Sequence, residues 1–183
     1  DEAILTLCYL PDRIKAHFGD GEDVGVRVSY AMEESPLGTA GAVKNVEYAL
    51  DDTFLVLNGD IFTDLDLKAM ARFHREKKAQ VTLFLTSVEN PASFGMVDTD
   101  PKGKVLRFLE KPSPGETTSN WINGGIYLLD PQVLAHIPAG EFQMFERDLF
   151  PRLLEMGAPV YGFKARPYWM DVGTLANYLR VHR

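Results

Sequence analysis

Two aspartates stand where an apolar run gives way to polar residues. Asp60 follows the apolar residues 54–57 within the motif Asn58-Gly59-Asp60, and Asp171 lies within residues 169–174. A carboxylate at the carboxyl end of a parallel strand projects into a ligand crevice. Two such carboxylates suit a divalent cation such as Mg²⁺, which takes hard oxygen ligands and substrate phosphates. The alternative is that both aspartates only shape turns before the helices that follow.

An acid and a base are adjacent in Glu110-Lys111-Pro112, directly after an apolar run. In an extended chain their side chains point to opposite faces, so that one could bind hydroxyl groups and the other a phosphate. A solvated charge pair before a turn is the simpler explanation on composition alone.

Small residues precede a predicted helix in Leu37-Gly38-Thr39-Ala40-Gly41. A helix N-terminus with small residues suits close contact with a flat or anionic group of a ligand. An ordinary Gly-Thr cap explains the same residues equally well.

Other polar residues have simpler explanations. Asp64-Leu65-Asp66 matches the Asp-x-Asp metal signature of many glycosyltransferases, but Asp66 is better explained as a helix cap. The four histidines show no metal-ligand spacing and are interpreted as structural or solvated; they are His17, His74, His136 and His182.

The elements that must position these residues follow from hydrophobic periodicity and turn residues. We predict strands at residues 4–9, 24–30, 54–57, 81–85, 94–97, 105–109, 122–129, 160–163 and 168–171. We predict helices at residues 13–18 behind an Asp12 cap, at 40–50, at 66–77, at 145–156 with an interruption at Pro151, and from Thr174 onward. The alternation over the first half predicts an α/β fold with a doubly wound, largely parallel sheet. The strand-rich second half predicts a mixed sheet.

Composition excludes several classes of protein. The net charge is −7 and no basic cluster is present, which argues against nucleic-acid binding. No apolar stretch approaches the roughly 20 residues that span a bilayer, and no signal peptide is recognisable, so we expect a cytoplasmic protein without a membrane partner. The single cysteine, Cys8, lies in an apolar run and is expected to be a buried structural thiol.

Six motifs occur in a fixed order along the chain: Leu37-Gly38-Thr39-Ala40-Gly41, Leu57-Asn58-Gly59-Asp60, Phe94-Gly95-Met96-Val97, Glu110-Lys111-Pro112, Ile122-Asn123-Gly124-Gly125-Ile126-Tyr127 and Trp169-Met170-Asp171-Val172-Gly173-Thr174. In this order they resemble the sugar-1-phosphate nucleotidyltransferase family over essentially all 183 residues. The resemblance implies one catalytic domain over residues 1–183, with a Rossmann-like, doubly wound mixed sheet of the nucleotide-diphospho-sugar transferase type.

The resemblance also implies a reaction. A nucleoside triphosphate condenses with a sugar 1-phosphate and pyrophosphate is released. The sugar phosphate oxygen attacks the α-phosphorus in line, so that catalysis consists of positioning and charge neutralisation.

Particular residues receive roles from the same resemblance. Asp60 and Asp171 correspond to Mg²⁺ ligands, and Lys111 corresponds to the cation on the sugar phosphate; these three are the candidate catalytic residues. The candidate substrate contacts are Gly38 and Thr39 at the base, Gly95 and Glu110 at the sugar, Asn123 and Gly124 along the sugar pocket, and Trp169 beside the metal-bearing strand.

The chain departs from the family pattern at three points. Phe94 stands where Tyr is common, and Asn123-Gly124-Gly125 replaces the commoner Asn-Ala-Gly. No segment resembles the Gly-Gly-x-Gly-Thr-Arg-Leu loop and the Lys-Pro segment that hold the triphosphate. The sequence begins within a predicted strand and ends within a predicted helix. Two explanations stay open: the intact protein has about 50 further N-terminal residues, the size of a βαβ opening, or another chain fills the gap. In either case we expect residues 1–183 alone to be inactive.

Residues 145–151 and 168–174 look most like mannose-1-phosphate guanylyltransferases, which make GDP-mannose from GTP and mannose 1-phosphate. A glucose-1-phosphate thymidylyl- or uridylyltransferase and a non-catalytic regulatory relative that binds a nucleotide sugar stay open as alternatives. In the guanylyl group a left-handed β-helix often follows the catalytic domain. A homo-oligomer is also left open.

Overall fold

The computed structural model describes residues 2–88, 94–110 and 119–182. The strands in these ranges are β1 Glu2–Leu7, β2 Arg27–Met32, β3 Phe54–Leu57, β4 Ile61–Thr63, β5 Val81–Ser87, β6 Gly95–Thr99, β7 Val105–Glu110, β8 Trp121–Leu129, β9 Val160–Lys164 and β10 Trp169–Asp171. The α-helices are α1 Pro11–Phe18, α2 Gly38–Lys44, α3 Leu67–Lys77, α4 Phe150–Glu155 and α5 Leu175–Val181. None of the described helices combines the length and the apolar character needed to pass through a bilayer.

Two compact units make up the chain. The first unit consists of Asp1–Asp51 with Leu134–Leu149, and the second of Asp52–Val133 with Phe150–Arg183. Strands β1 and β2 form a parallel pair in the first unit. The parallel pairing agrees with the alternation of strands and helices predicted for this part of the chain.

Helix α2 of the first unit is largely buried. Its small side chains pack inside, and Ala40 is fully buried. The helix ends at Lys44 because Val46 N–H bonds to the carbonyl of Val43, which tightens the last turn. The predicted helix over residues 40–50 was therefore too long, and a separate 3₁₀ turn covers Glu47–Ala49.

Strand β8 is the centre of the second unit's mixed sheet. The strand order is β7-β6-β8-β5-β9, and β3 also pairs with β8. Strand β5 lies along one side of β8, whereas β3 and β6 follow each other along the opposite side. All three are antiparallel to β8, and β9 is parallel to β5. Strands β3, β5 and β9 therefore share one direction. The carboxyl end of β5 lies beside the start of β8, whereas β3 ends opposite Ile126 in the middle of β8.

Large side chains fill the core of the second unit on both faces of this sheet. Phe84 and Ile126 are fully buried in one cluster with Met70 of α3. The ring of Tyr127 meets the ring of Phe150 edge to face, with the centroids 5.3 Å apart. Burial on both faces explains the near-continuous apolar sequence of β5.

Helix α3 begins where the sequence predicts. Asp66 is its N-cap, because the carboxylate accepts a hydrogen bond of 2.8 Å from Ala69 N–H. Its one buried polar residue, His74, lies against Thr82 Oγ1 at 2.8 Å and Asp130 Oδ1 at 3.3 Å. This histidine has the structural role that the sequence indicated.

The turn between β6 and β7 contacts strand β9, at the other end of the strand order of the second unit's sheet. Gly162 N–H of β9 donates to the carbonyl of Gly103 at 2.8 Å, and Lys104 forms a bridge with Tyr161. The outer edge of β9 is therefore covered by the β6–β7 hairpin.

Two local predictions were wrong. Strand β1 ends at Leu7, so that Cys8 is exposed and not a buried thiol. Helix α1 begins at Pro11, and Asp12 lies in its first turn and is not the cap. Proline is favoured at the first helical position because its fixed φ fits the helix and its missing N–H would be unpaired there in any case.

Candidate active site

The pairing of β4 with β10 brings Asp60 and Asp171 together in the second unit. Asp171 is opposite Ile61, the residue after Asp60, and Val172 N–H donates to the Asp60 carbonyl at 2.8 Å. A Cβ placed on Gly173 would lie 2.8 Å from Oδ1 of Asp171 and 3.8 Å from Oδ2 of Asp60. Both carboxylates therefore face one small space.

The turn that carries Asp60 is fixed by a bulge in β8. Gly125 has a φ of +73°, and its carbonyl accepts a hydrogen bond of 2.9 Å from Asn58 N–H. A Cβ on Gly125 would approach both Asn58 Nδ2 and Ile61 Cγ1 to 3.0 Å. Only glycine combines this φ with such a close approach at low cost. Gly125 therefore fixes the end of β3 and the position of the turn that carries Asp60.

Asp171 is held by the start of α5. Its Oδ1 accepts Gly173 N–H at 2.7 Å, and its carbonyl accepts Asn177 Nδ2 at 2.7 Å. Thr174 is the N-cap of α5 through a 3.2 Å bond from Asn177 N–H, as the sequence predicts. Sequence reasoning missed Asn177, although a polar side chain three residues after a cap is a known signal for a bond back towards the cap.

Trp169 ties β10 to β8. Its indole N–H donates to the carbonyl of Gly124 at 3.0 Å, and its ring meets Phe94 edge to face at a centroid distance of 5.7 Å. The candidate residues Trp169 and Gly124 are therefore in direct contact; Trp169 is two residues before Asp171, and Gly124 directly follows Asn123.

Asn123 uses both ends of its side chain amide within β8. Its Nδ2 donates to Tyr127 Oη at 2.8 Å, and its Oδ1 accepts Gly125 N–H at 3.1 Å. These bonds hold the bulge that positions Gly124 and Gly125. The side chain of this candidate substrate residue thus has a positioning role in the strand.

Gly95 is opposite Glu110 in the β6–β7 pair, and the next residue, Met96, is opposite Ile122 of β8. This register places Gly95 beside Asn123, so three of the candidate sugar contacts lie on adjacent strands. Lys111 and the side chain of Glu110 lie outside the described residues.

Gly38 and Thr39 belong to the first unit. Gly38 opens α2 with a φ of +72°, and a Cβ there would lie 2.5 Å from the carbonyl oxygen of Gln143. That oxygen accepts Ala40 N–H at 2.9 Å, and Thr39 Oγ1 accepts Phe145 N–H at 3.1 Å. These groups of the first helical turn are therefore bonded to the chain itself, and not free for an anion.

The carboxylates of the alternative Asp-x-Asp motif have local structural roles. Asp64 Oδ1 accepts Tyr168 N–H at 2.7 Å, and Asp66 caps α3. Within the described ranges no group of three or more acidic, histidine or cysteine side chains could hold a metal. Asp60 and Asp171 are thus better candidates for metal ligands than Asp64 and Asp66.

Comparison with known proteins agrees with the six motifs and with the fold. A family model described as nucleotidyl transferase matches residues 1–183. The chain belongs to the sugar-1-phosphate nucleotidyltransferase family. The identification from the order of the motifs is thereby confirmed.

Two relatives of this nucleotidyltransferase differ in their named substrates. The mannose-1-phosphate guanylyltransferase of Mycobacterium tuberculosis is 40% identical over 98% of the chain and 50% of its own length. The UTP--glucose-1-phosphate uridylyltransferase of Synechocystis is 36% identical over 100% of the chain and 51% of its own length. The chain therefore spans about half the length of these relatives.

The fold of the nucleotidyltransferase is that of solved relatives. The crystal structure of HddC from Yersinia pseudotuberculosis matches 98% of the chain and 76% of its own, with a TM-score of 0.83 and 27% identity. The same protein in complex with GMP-PN matches with a TM-score of 0.81 and 28% identity. The predicted nucleotide-diphospho-sugar transferase fold with a mixed sheet is confirmed.

Proposed function

We propose that the natural gene product containing these residues transfers a nucleotidyl group from a nucleoside triphosphate to a sugar 1-phosphate. Pyrophosphate leaves, and a nucleotide-diphosphate sugar forms. The convergence of Asp60 and Asp171 on one space next to Gly173 carries this proposal, because the reaction needs charge neutralisation at phosphate and no protein nucleophile.

The two carboxylates fit a Mg²⁺ ion. This cation is usually bound by one or two carboxylates and keeps its other positions for water and substrate phosphates. Asp60 and Asp171 would hold it, and when bound it supplies charge neutralisation at the phosphate undergoing transfer. Gly173 N–H already holds one oxygen of Asp171, so this carboxylate is oriented before the substrates arrive.

The remaining candidates would position the sugar 1-phosphate. Gly95, Glu110, Asn123 and Gly124 would contact the sugar, and Trp169 would keep β10 against β8. Lys111 would place a positive charge on the sugar phosphate, and Gly38 and Thr39 would contact the base. These groups would act by orientation and Lys111 also by its charge, the two sources of rate in a displacement without covalent catalysis.

We propose GTP and mannose 1-phosphate as the substrates and the cytoplasm as the location. The guanylyltransferase of Mycobacterium tuberculosis, at 40% identity, and the GMP-PN complex of HddC support guanosine. The uridylyltransferase of Synechocystis, at 36% identity, supports UTP with glucose 1-phosphate as the second candidate.

A substrate panel tests this proposal. GTP, dTTP, UTP, ATP and CTP are each offered with mannose 1-phosphate and with glucose 1-phosphate, and pyrophosphate release is measured. GTP with mannose 1-phosphate should give the highest kcat/KM. A clear preference for UTP or dTTP with glucose 1-phosphate would make the second candidate correct. No turnover with any substrate pair would refute the proposed nucleotidyltransferase activity.

The stretch 1–183 contains no glycine-rich triphosphate loop. We therefore propose that residues 1–183 on their own do not catalyse the reaction, because the loop that would bind the triphosphate is missing from this stretch. Expression of these residues alone in the same assay tests this. Turnover equal to that of the natural gene product would show that the loop is dispensable.

A further inference from the structure

Two cations of the second unit lie over one aromatic ring. Lys164 Nζ is 5.3 Å and Arg166 Cζ is 5.5 Å from the ring centroid of Trp121. The negative face of an indole attracts a cation, so the half-buried Trp121 holds both charges close to one place.

These charges have no counter-charge in the described part of the chain. Both side chains are exposed, and neither Lys164 nor Arg166 makes an ion pair or a hydrogen bond to another described residue. The ring attracts each cation but does not neutralise it, and two like charges held near each other repel. In a protein of net charge −7, a basic pair that has no counter-charge among the described residues suits an anionic ligand.

The pair lies at the ligand edge of the sheet. Lys164 is the last residue of β9, and Trp121 is the first residue of the antiparallel β8. Ser87, at the carboxyl end of β5, is opposite Trp121, so the carboxyl ends of β5 and β9 lie at the same edge of the sheet as the start of β8. Ligands of α/β sheets bind beyond this edge.

Strand β8 also gives the distance between the cations and the acidic pair. Gly125 contacts the turn that leads to Asp60, and Gly124 contacts Trp169 of the strand that carries Asp171. From Gly125 to Trp121 the strand covers at most about 13 Å at its usual rise per residue, since the bulge at Gly125 shortens the path. A hexose 1-phosphate whose phosphate lies at the acids would direct its sugar along β8, past Asn123, towards Trp121.

We infer that Lys164 and Arg166 bind an anionic group at the end of the sugar remote from the 1-phosphate. A sugar 1-phosphate that carries a second phosphate or a carboxylate at this end therefore binds more tightly than a neutral one. This specificity rests on the proposed function, because the 1-phosphate must lie at the acidic pair.

Calorimetric titration of the natural gene product in Mg²⁺ tests the inference with matched ligands. Mannose 1,6-bisphosphate is compared with mannose 1-phosphate, and glucuronic acid 1-phosphate with glucose 1-phosphate. In at least one pair, the member with the second anionic group should bind roughly tenfold more tightly, the effect of one hydrogen bond to a charged group. The pair that shows it identifies phosphate or carboxylate as the anion. Equal affinities within both pairs would overturn the inference.

Charge-removing variants assign the effect to the two side chains. In Lys164→Gln/Arg166→Gln the preference should disappear, while the affinity for mannose 1-phosphate stays within about twofold, since a neutral sugar end makes no charge pair. The control Lys68→Gln/Arg75→Gln removes two exposed cations of α3, equally without ion pairs in the described ranges, and should keep the preference. The single variant Arg166→Gln, which alters one exposed residue, guards against misfolding of the double variant. A preference that persists in both variants would overturn the inference.

The outcomes separate this inference from the proposed function. A protein that binds none of the four sugar phosphates fails both. A protein that binds mannose 1-phosphate without any preference for a second anion keeps the proposed function and loses only the role of Lys164 and Arg166.

Discussion

Among single residues, Asp60 and Asp171 carry the largest expected effect. Their conversion to Asn in the natural gene product should lower kcat by at least about 100-fold, because even the outer-shell partners of metal ligands contribute 10–100-fold. The fold should persist, since Asp60 is exposed and Asp171 lies at a strand end. Pyrophosphate release and a thermal melt measure the two effects.

The control for these variants is Asp51→Asn, which removes an exposed carboxylate. It should retain activity within about twofold, as surface substitutions away from special features do little. Undiminished turnover in Asp171→Asn would remove that residue from the mechanism.

Gly124 shows why this chain departs from the commoner Asn-Ala-Gly sequence. A Cβ at this position would lie 2.3 Å from Cδ1 of Phe84, and Phe84 is fully buried. Gly124→Ala should therefore lower the free energy of unfolding by about 1–3 kcal/mol, the usual cost of overpacking. Urea denaturation measures this change.

A protein that carries Phe84→Leu tests whether the Phe84 ring causes the loss of stability in Gly124→Ala. Where Phe84→Leu is already present, Gly124→Ala should be less destabilising, because contacting residues are energetically coupled. Gly59→Ala is the matched control, since nothing lies within 4 Å of a Cβ there. If Gly124→Ala were as stable as the parent protein, the Phe84 ring would not be what requires glycine.

Between elements, the bond from Trp169 to Gly124 fixes strand β10 on strand β8. Trp169→Phe keeps an aromatic ring but leaves the Gly124 carbonyl without this donor, which should cost about 1 kcal/mol of unfolding free energy. The variant Tyr168→Phe removes a polar atom from an exposed neighbour in the same segment and should be neutral. Equal stability of the two variants in urea denaturation would argue against a structural role for the indole N–H.

The sequence predicts elements whose cause is local. The cap at Asp66 and the cap at Thr174 depend on residues three positions apart, and both predictions were confirmed. Strand β4 was not predicted, because three residues give no periodicity and the strand exists only through pairing with β10. The partner segment lies far along the chain, as the bond between Thr63 and the Tyr168 carbonyl shows.

The proximity of Asp60 and Asp171 could be predicted from the sequence, whereas the hydrogen bonds around the candidate site could not. The order of the motifs points to Asp60 and Asp171, and the structure brings them together. The internal bonds of Asn123 and the attachment of Trp169 to Gly124 depend on the bulge at Gly125. No local pattern encodes a register between strands that are separated in sequence.

Over the whole molecule, stability should differ between the two units. Strands β1 and β2 pair only with each other among the described strands, and a two-stranded sheet is marginal by itself. Strand β5 lies between β8 and β9 with its side chains buried. In native-state hydrogen exchange, amides of β5 should be protected at least about tenfold more than amides of β1. Equal protection would show that the two units open together.

The turn that covers β9 also protects the protein from self-association. An uncovered edge strand offers unpaired N–H and C=O groups to another chain, and residues 160–163 are rich in the valine, tyrosine and phenylalanine that favour such stacking. Gly103 occupies the N–H of Gly162 in the native fold. Pairing of another chain with this edge of β9 therefore requires that the hairpin turn first detach from Gly162.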